Sequence, residues 1–437
     1  MFLERTQPTD KRRREGAVAG YDLSGSYAQI SYWLPGEVKP ETVSQVAGEE
    51  EYRIPALLAK RTDRDLWLYG NQAQEAAERG EAVPVRELLQ TAARGEEVEV
   101  AGQQYDPVAL LSLFLKRTLG LLTPILPLDR LQALVFTVED VSRPAIDALT
   151  AAAAMLQVAA DRVYVIGRGE SFFYYNISQP EELRIRDVLM CELETAHLKT
   201  LLFYVNENTK PVASFVEETE WEEVRPVVWT GEEDEDSRRC ACLDQAFCRA
   251  LEQILRERAV STVYLIGEGF EGEWYQESLR LLCDGRRVFL GNNLYSKGAC
   301  YAARQRLAPQ ETGKGYAFLG KDMLRSNVGM YVSRRGADAY LALFDAGVNW
   351  YDAKKECEFL LGDSSAFTLR ITPLDGKEIR EVQVALDGLP DRPAFTSRIR
   401  LKAELEDAAT VHISMEDLGF GEFFPATHKF WEESIRL

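Results

Sequence analysis

The chain has little of what metal centres and many hydrolases are built from. Of its 437 residues only three are histidine, His197, His412 and His428, and only seven are cysteine. Three imidazoles leave few chances for a Ser/His/Asp or Cys/His arrangement, and none sits in a recognisable nucleophile elbow. The cysteines are odd in number and scattered, which argues for reduced thiols rather than a disulfide framework. Cys240, Cys242 and Cys248 lie close together, but a zinc site needs a second ligand pair nearby, and on a helix these three read as small apolar residues. Positive charge is also short: 51 Lys and Arg stand against 70 Asp and Glu, a formal net charge of −19. An acidic surface repels nucleic acid and anionic membrane, so neither is expected as a partner. The basic run at 11–14 is the exception and reads as part of a flexible, solvated tail over 1–16.

Long apolar runs are missing as well. Residues 16–19 are apolar, but Asp22 follows too soon for a secretory leader. The stretch 119–128 carries Pro124 and Pro127, and it is far shorter than the roughly 20 residues of a membrane span. A cytoplasmic protein without membrane contact is the expectation. What is present is ordinary for a globular chain, 46% hydrophobic and 28% charged residues. The length leaves room for roughly two to four domains.

The order of elements is more informative. Residues 17–33 read as two strands joined by a Ser/Gly turn. Strands are expected at 54–60 and 65–69, and helices at 72–80, 84–94 and 107–119. Strands at 134–138 and 163–166 then alternate with a helix at 143–158, for which Ser142 is a candidate N-cap. A hairpin at 188–191 and 199–205 is followed by a strand at 212–216. Residues 217–239, dominated by Glu and Asp, read as an exposed acidic loop. A helix at 242–256, a strand at 262–266, a helix at 274–283, a strand at 287–290 and a small-residue helix at 294–303 complete a layered α/β body. A Gly-rich linker is expected near 309–320. Beyond it, strands of similar length at 327–332, 366–371, 381–386, 398–404 and 410–415, with turns at Asp375-Gly376 and Asp387-Gly388, read as a β-sandwich. One internal echo is visible: Val163-Tyr-Val-Ile-Gly-Arg-Gly169 against Val263-Tyr-Leu-Ile-Gly-Glu-Gly269.

Three strand-to-turn sites carry the chemistry. Small residues let a backbone approach phosphate closely, and a neighbouring carboxylate can hold a magnesium-bound water. The first site is Gly20-Tyr21-Asp22-Leu23-Ser24-Gly25-Ser26-Tyr27. The second is Cys191-Glu192-Leu193-Glu194-Thr195-Ala196-His197. The third is Gly267-Glu268-Gly269-Phe270. With Gly167-Arg168-Gly169-Glu170 and the helix motif Gly298-Ala299-Cys300-Tyr301-Ala302-Ala303, this order resembles the actin, sugar-kinase and heat-shock-chaperone ATPase superfamily, closest to the 70-kilodalton chaperones. The resemblance spans nearly the whole chain as element order and short motifs.

That resemblance implies an α/β actin-like ATPase fold of two lobes followed by a C-terminal β-sandwich. Lobe I falls at 17–187, a reduced lobe II at 188–312 with the acidic loop at 217–239, and the sandwich at 313–437. It also implies ATP or ADP with magnesium as cofactor. Asp22 would position a magnesium-bound water, Glu170 would assist, and Glu192 would replace the usual Asp. Ser24, Gly25, Ser26, Gly267 and Gly269 would line the nucleotide. The C-terminal part resembles a chaperone peptide-binding domain, so a protein or peptide partner is expected.

The departures from the pattern matter. The second loop has no glycine, Glu192 is longer than Asp, and Glu194 adds negative charge facing a polyphosphate. Between Glu192 and Gly267 there is room for a hairpin, an acidic loop and one helix, where the chaperones hold a whole extra subdomain. No lysine matches the catalytic one; Lys60, Lys116 and Lys199 are candidates by position alone. Each residue also has a plain structural role open to it. Asp22 caps a hairpin, Glu170 flanks a helix, Glu192 and Glu194 face solvent, Gly267 and Gly269 form a βα turn, and His197 is a hydrogen-bonded histidine. The leading expectation is a binding or scaffold protein with a degenerate nucleotide cleft. An active magnesium-dependent ATPase is the alternative, and an actin-like filament protein the second one.

Overall fold

The computed structural model describes residues 16–46, 48–209, 211–308, 315–334, 336–374 and 378–437. The basic run at 11–14, the first half of the expected linker (309–314) and the Asp375-Gly376 turn lie outside the described residues. The chain divides into two compact units, Met1–Tyr316 and Ala317–Leu437, a few residues beyond the boundary expected at 312. Among the described residues no helix is long and apolar enough to cross a membrane.

The first unit opens with the hairpin β1 (Ala17–Leu23) and β2 (Tyr27–Trp33), to which β3 (Glu41–Thr42) and β4 (Ile54–Pro55) add. A small sheet of β5 (Leu58–Arg61), β6 (Trp67–Tyr69) and β7 (Ala82–Val85) carries α1 (Gly70–Glu78). Residues 82–85 are thus a strand rather than the start of a helix. Pro84 is tolerated because β7 lies at the sheet edge. Next come α2 (Leu88–Arg94), the hairpin β8 (Val98–Val100) and β9 (Gln103–Tyr105), and α3 (Pro107–Leu119), capped by Asp106. Then β10 (Leu131–Val138), α4 (Arg143–Met155), β11 (Val163–Gly167) and α5 (Arg168–Ile177) follow, with the Ser142 hydroxyl accepting from Ala145 N–H at the start of α4.

A second sheet begins at β12 (Asp187–Leu193), β13 (Leu198–Asn206) and β14 (Val212–Trp221). It continues through α6 (Glu233–Glu257), β15 (Val260–Ile266), α7 (Gln276–Cys283), β16 (Arg287–Leu290) and α8 (Leu294–Leu307). The acidic stretch is therefore mostly not a loop. Residues up to Trp221 pair with β13 from Leu198 to Asn206, which satisfies their backbone whatever the side chains. Glu233, Asp234, Glu235 and Asp236 fill the first turn of α6, where the positive helix terminus favours carboxylates.

The two large sheets share one topology. The first runs β11-β10-β1-β2-β3 and the second β16-β15-β12-β13-β14. In each, an antiparallel hairpin is extended on one side by two parallel strands. The sequence echo does not mark this repeat. It relates β11, an outer strand, to β15, an inner one, so it reflects two buried strands running into Gly turns.

Strand alternation aims the site residues. On β1, Ala17, Ala19, Tyr21 and Leu23 join the core that also holds residues of α3 and α4. Val18 joins the opposite core with Ala299, Cys300, Ala302 and Ala303 of α8. Gly20 lies on that second face, and a side chain there would collide with Ser296 O at 2.1 Å. Asp22 is next on the same face. On β12, Leu189, Cys191 and Leu193 pack against α6, leaving Glu192 on the face turned to α5. Helices α5 and α8 meet where Gly298 lies against Ser171 O.

The second unit is two antiparallel four-stranded sheets. One has the order Ala337–Phe344, Ser326–Arg334, Ala366–Pro373, Arg380–Ala385, and the other Lys354–Leu360, Arg398–Asp407, Thr410–Gly419, Phe430–Arg436. Their inward residues, among them Val328, Leu369 and Ile371 on one and Leu401, Ile413 and Met415 on the other, form one core. Strands 337–344, 354–360 and 430–436 are not evident in the sequence, being half-polar edge or hairpin strands.

Candidate functional site

Asp22 sits at the end of β1 with no exposure to solvent. Among the described residues, neither of its carboxylate oxygens has a hydrogen-bond partner. Burial pushes its carboxyl up from 3.8 to about 7; Arg168 opposes the rise, while Glu192 and Glu139 add to it. Arg168, the first residue of α5, is the cation at the centre of this group. Its guanidinium donates to Glu192 Oε1 at 2.9 Å and pairs with Glu139 Oε1 at 3.3 Å. It lies 4.8 Å from the Tyr295 ring centroid. Glu192 is 2% exposed, and its other oxygen accepts from the Tyr295 hydroxyl at 2.9 Å. The long Glu192 side chain is thus folded back onto protein donors.

The predicted residues separate. Asp22 and Glu192 come together around Arg168. Glu170 turns to α8 and pairs with Arg306 at 3.6 Å. In the first turn, Ser24 Oγ accepts from Tyr27 N–H at 2.9 Å and Ser26 N–H at 3.2 Å, so it closes the hairpin. Ser26 is exposed. A side chain at Gly25 would meet only Gln90 Nε2, at 3.6 Å.

The third motif has its own reason for glycine. A Cβ at Gly267, where φ is +105°, would lie 2.2 Å from Leu193 O; one at Gly269 would lie 2.4 Å from Leu193 Cγ. The end of β12 occupies the space over both. Glu194 forms a two-pronged ion pair with Arg53, which also reaches Glu268 at 2.9 Å and covers the Tyr27 ring at 4.2 Å. His197 pairs with Glu220 at 3.2 Å. Lys60 is held by Gln103, Tyr105 and Asp65, and Lys199 by Glu220; Lys116 is exposed on α3. Sequence reading missed Arg53, Glu139, Arg168 and Tyr295. The Gly167-Arg168-Gly169 string was the available signal for Arg168, since a long cation between glycines at a strand end must point somewhere specific.

Residues 39–321 match the family described as family of unknown function (DUF5716) C-terminal, more than half of the chain. The chain belongs to this family. Residues 323–437 match the domain of unknown function DUF8552. No curated protein matches the chain. The DUF5716 match contains Arg168, Glu192, Tyr295 and the Gly267 turn, while the hairpin with Asp22 precedes it.

Beside the cluster, a cleft of about 620 Å³ is lined by Tyr27, Arg53, Gly267, Asn293 and Tyr295. Glu50, Glu51, Glu268 and Glu271 share that lining, with Arg53 as its single cation among the described residues. Asn293 adopts φ +65°, and its buried Oδ1 has no hydrogen-bond partner among the described residues. The DUF8552 unit has a groove of about 760 Å³ lined by Tyr331, Phe359, Leu360, Phe367 and Phe395. Strand Lys354–Leu360 flanks it and is the edge of its sheet. Phe395 is 60% exposed at φ +63°.

Proposed function

We propose that this is a binding or scaffold protein on an actin-like, heat-shock-chaperone plan whose nucleotide cleft has its carboxylates engaged by the protein's own ion pairs. The observation that carries the reading is Arg168, seated against Glu192 and Glu139 beside Asp22. A magnesium–polyphosphate needs carboxylates that are free for the metal and small residues that admit the phosphates. Here a fixed guanidinium takes the place of a cation and Leu193 covers the glycine turn. The four glutamates of the cleft oppose a polyphosphate further. These residues do not fit magnesium-ATP. The matching strand order of the two sheets supports the actin-like plan.

Binding then falls to the second unit, where a groove of aromatic and charged side chains lies beside an edge strand. An extended peptide can add to such an edge through its backbone while its side chains enter the groove. A cytoplasmic location accords with the reduced thiols expected of seven free cysteines. One observation favours the second reading, an active ATPase: Asp22 is buried with both oxygens unpartnered among the described residues, as a site awaiting a cation would be.

Calorimetric titration with magnesium-ATP and magnesium-ADP tests the choice. The expected result is no saturable heat at millimolar nucleotide. Saturable binding that Asp22→Ala removes would overturn the proposal and restore the ATPase.

A further inference from the structure

Trp229 lies in the segment between β14 and α6 and is 65% exposed. An indole left in water is normally free to move, but the chain on both sides of this one is tied down. Arg239 of α6 donates to Val228 O at 2.7 Å. Thr230 N–H and its hydroxyl donate to Asp236 Oδ1 at 2.9 and 2.8 Å, and Gly231 N–H to Oδ2 at 3.1 Å. The exposed ring therefore stands on a fixed backbone and faces a cavity of about 610 Å³, a size that suits a small ligand. Trp274 also lines the cavity; it is stacked on Phe270 with centroids 5.9 Å apart and donates its indole N–H to Gly269 O at 2.8 Å.

The charges of the cavity have one sign. Asp236 is engaged by the Trp229 segment. Asp244 accepts from Glu277 N–H at 2.8 Å and Ser278 N–H at 3.0 Å, capping α7. Glu233, Glu273 and Glu277 also line the cavity, and these three are exposed and form no ion pair among the described residues. No Lys or Arg lines it among the described residues. The exposed indole of Trp229, with Trp274 beside it in the lining, and three uncommitted carboxylates attract positive charge by the ring quadrupole and by simple Coulomb attraction. Among the described residues, no group of three acidic, Cys or His side chains is placed to hold a metal ion. A larger, weakly hydrated cation fits the spread carboxylates and aromatic walls better.

From this geometry we infer a binding site for an organic cation, an alkylammonium group carried either by a free small molecule or by a lysine of a partner. Among the described residues it shares only Gly272 with the lining of the nucleotide cleft.

The test uses the full chain at fixed ionic strength and follows tryptophan fluorescence. Tetramethylammonium is the first probe, tert-butanol its uncharged counterpart, and a short lysine-containing peptide the third. Saturable quenching by tetramethylammonium but not by tert-butanol is expected. Trp229→Ala and the double variant Glu233→Gln/Glu277→Gln should each weaken it on the order of tenfold. Both alter exposed side chains, so folding should survive, and circular dichroism checks it. Tighter binding by the peptide assigns the site to a partner's lysine, and tighter binding by tetramethylammonium to a free cation. Equal quenching by tert-butanol, no saturation by either cation, or unchanged affinity in both variants would overturn the inference.

Discussion

Asp22 is a carboxyl that folding places where its charge is least welcome. Removed from water, with Glu192 and Glu139 beside it, it holds a proton up to about pH 7, against 3.8 ordinarily. Between those values the folded chain keeps a proton that the unfolded chain has lost, so stability falls as pH rises from about 4 to about 7 and is level above that. The shift corresponds to a loss on the order of 4 kcal/mol across the window. Asp22→Asn has nearly the same shape and no charge to desolvate. It is expected to lose this falling limb and to be the more stable protein near pH 8. Urea unfolding of both proteins at about pH 5 and about pH 8 gives the answer. A difference between them that does not change with pH would mean that the carboxyl ionises normally in the fold.

At the scale of elements, Leu193 at the end of β12 explains a motif that looks like a ligand loop. Gly267→Ala puts a methyl group into Leu193 O and forces an alanine to φ +105°. Such overpacking together with backbone strain costs about 2–4 kcal/mol. Gly25→Ala meets nothing closer than 3.6 Å, so it should stay within about 0.5 kcal/mol of the parent protein. Denaturant midpoints of the two variants measure this contrast, and a tolerated Gly267→Ala would remove Leu193 as the reason for the glycine. The same elements show what the sequence makes legible. The hairpin β1–β2, helix α3 from Pro107 and the strands β10, β15 and β16 follow from apolar periodicity and caps, which are local. The site does not follow in that way. Asp22 and Glu192 were recognisable as carboxylates at strand ends, but the guanidinium that engages Glu192 comes from Arg168, 24 positions earlier in the chain on α5, a pairing that no local pattern shows. Glu170 was misplaced for a related reason: on α5 it points away from Arg168, toward Arg306. The acidic stretch misled because composition outweighed pairing, and β13 supplies the partner that composition cannot show.

For the whole molecule, each unit has hydrophobic clusters drawn from its own residues and a buried ion pair of its own. In the first unit that pair is Arg168–Glu192. In the second it is Arg392–Asp417, where both guanidinium nitrogens donate to a carboxylate with no solvent exposure, at 2.9 and 3.0 Å. Burial alone would raise the Asp417 carboxyl; the Arg392 and Thr427 hydrogen bonds hold it well below the usual carboxylate range. Removing one partner of such a pair leaves a buried charge and costs about 3–5 kcal/mol. Cores with no shared residues should melt as separate cooperative units. Scanning calorimetry is therefore expected to show two transitions, with Arg168→Ala lowering one and Arg392→Ala lowering the other. The sizes should differ, because the same free-energy loss moves a smaller domain further: about 4–8 °C per kcal/mol at 60–100 residues against about 2–4 °C at 150–250. Arg392→Ala, in the shorter unit, should produce the larger shift. If either variant displaces both transitions together, the two units unfold as one, and a ligand bound in the first would stabilise the second as well.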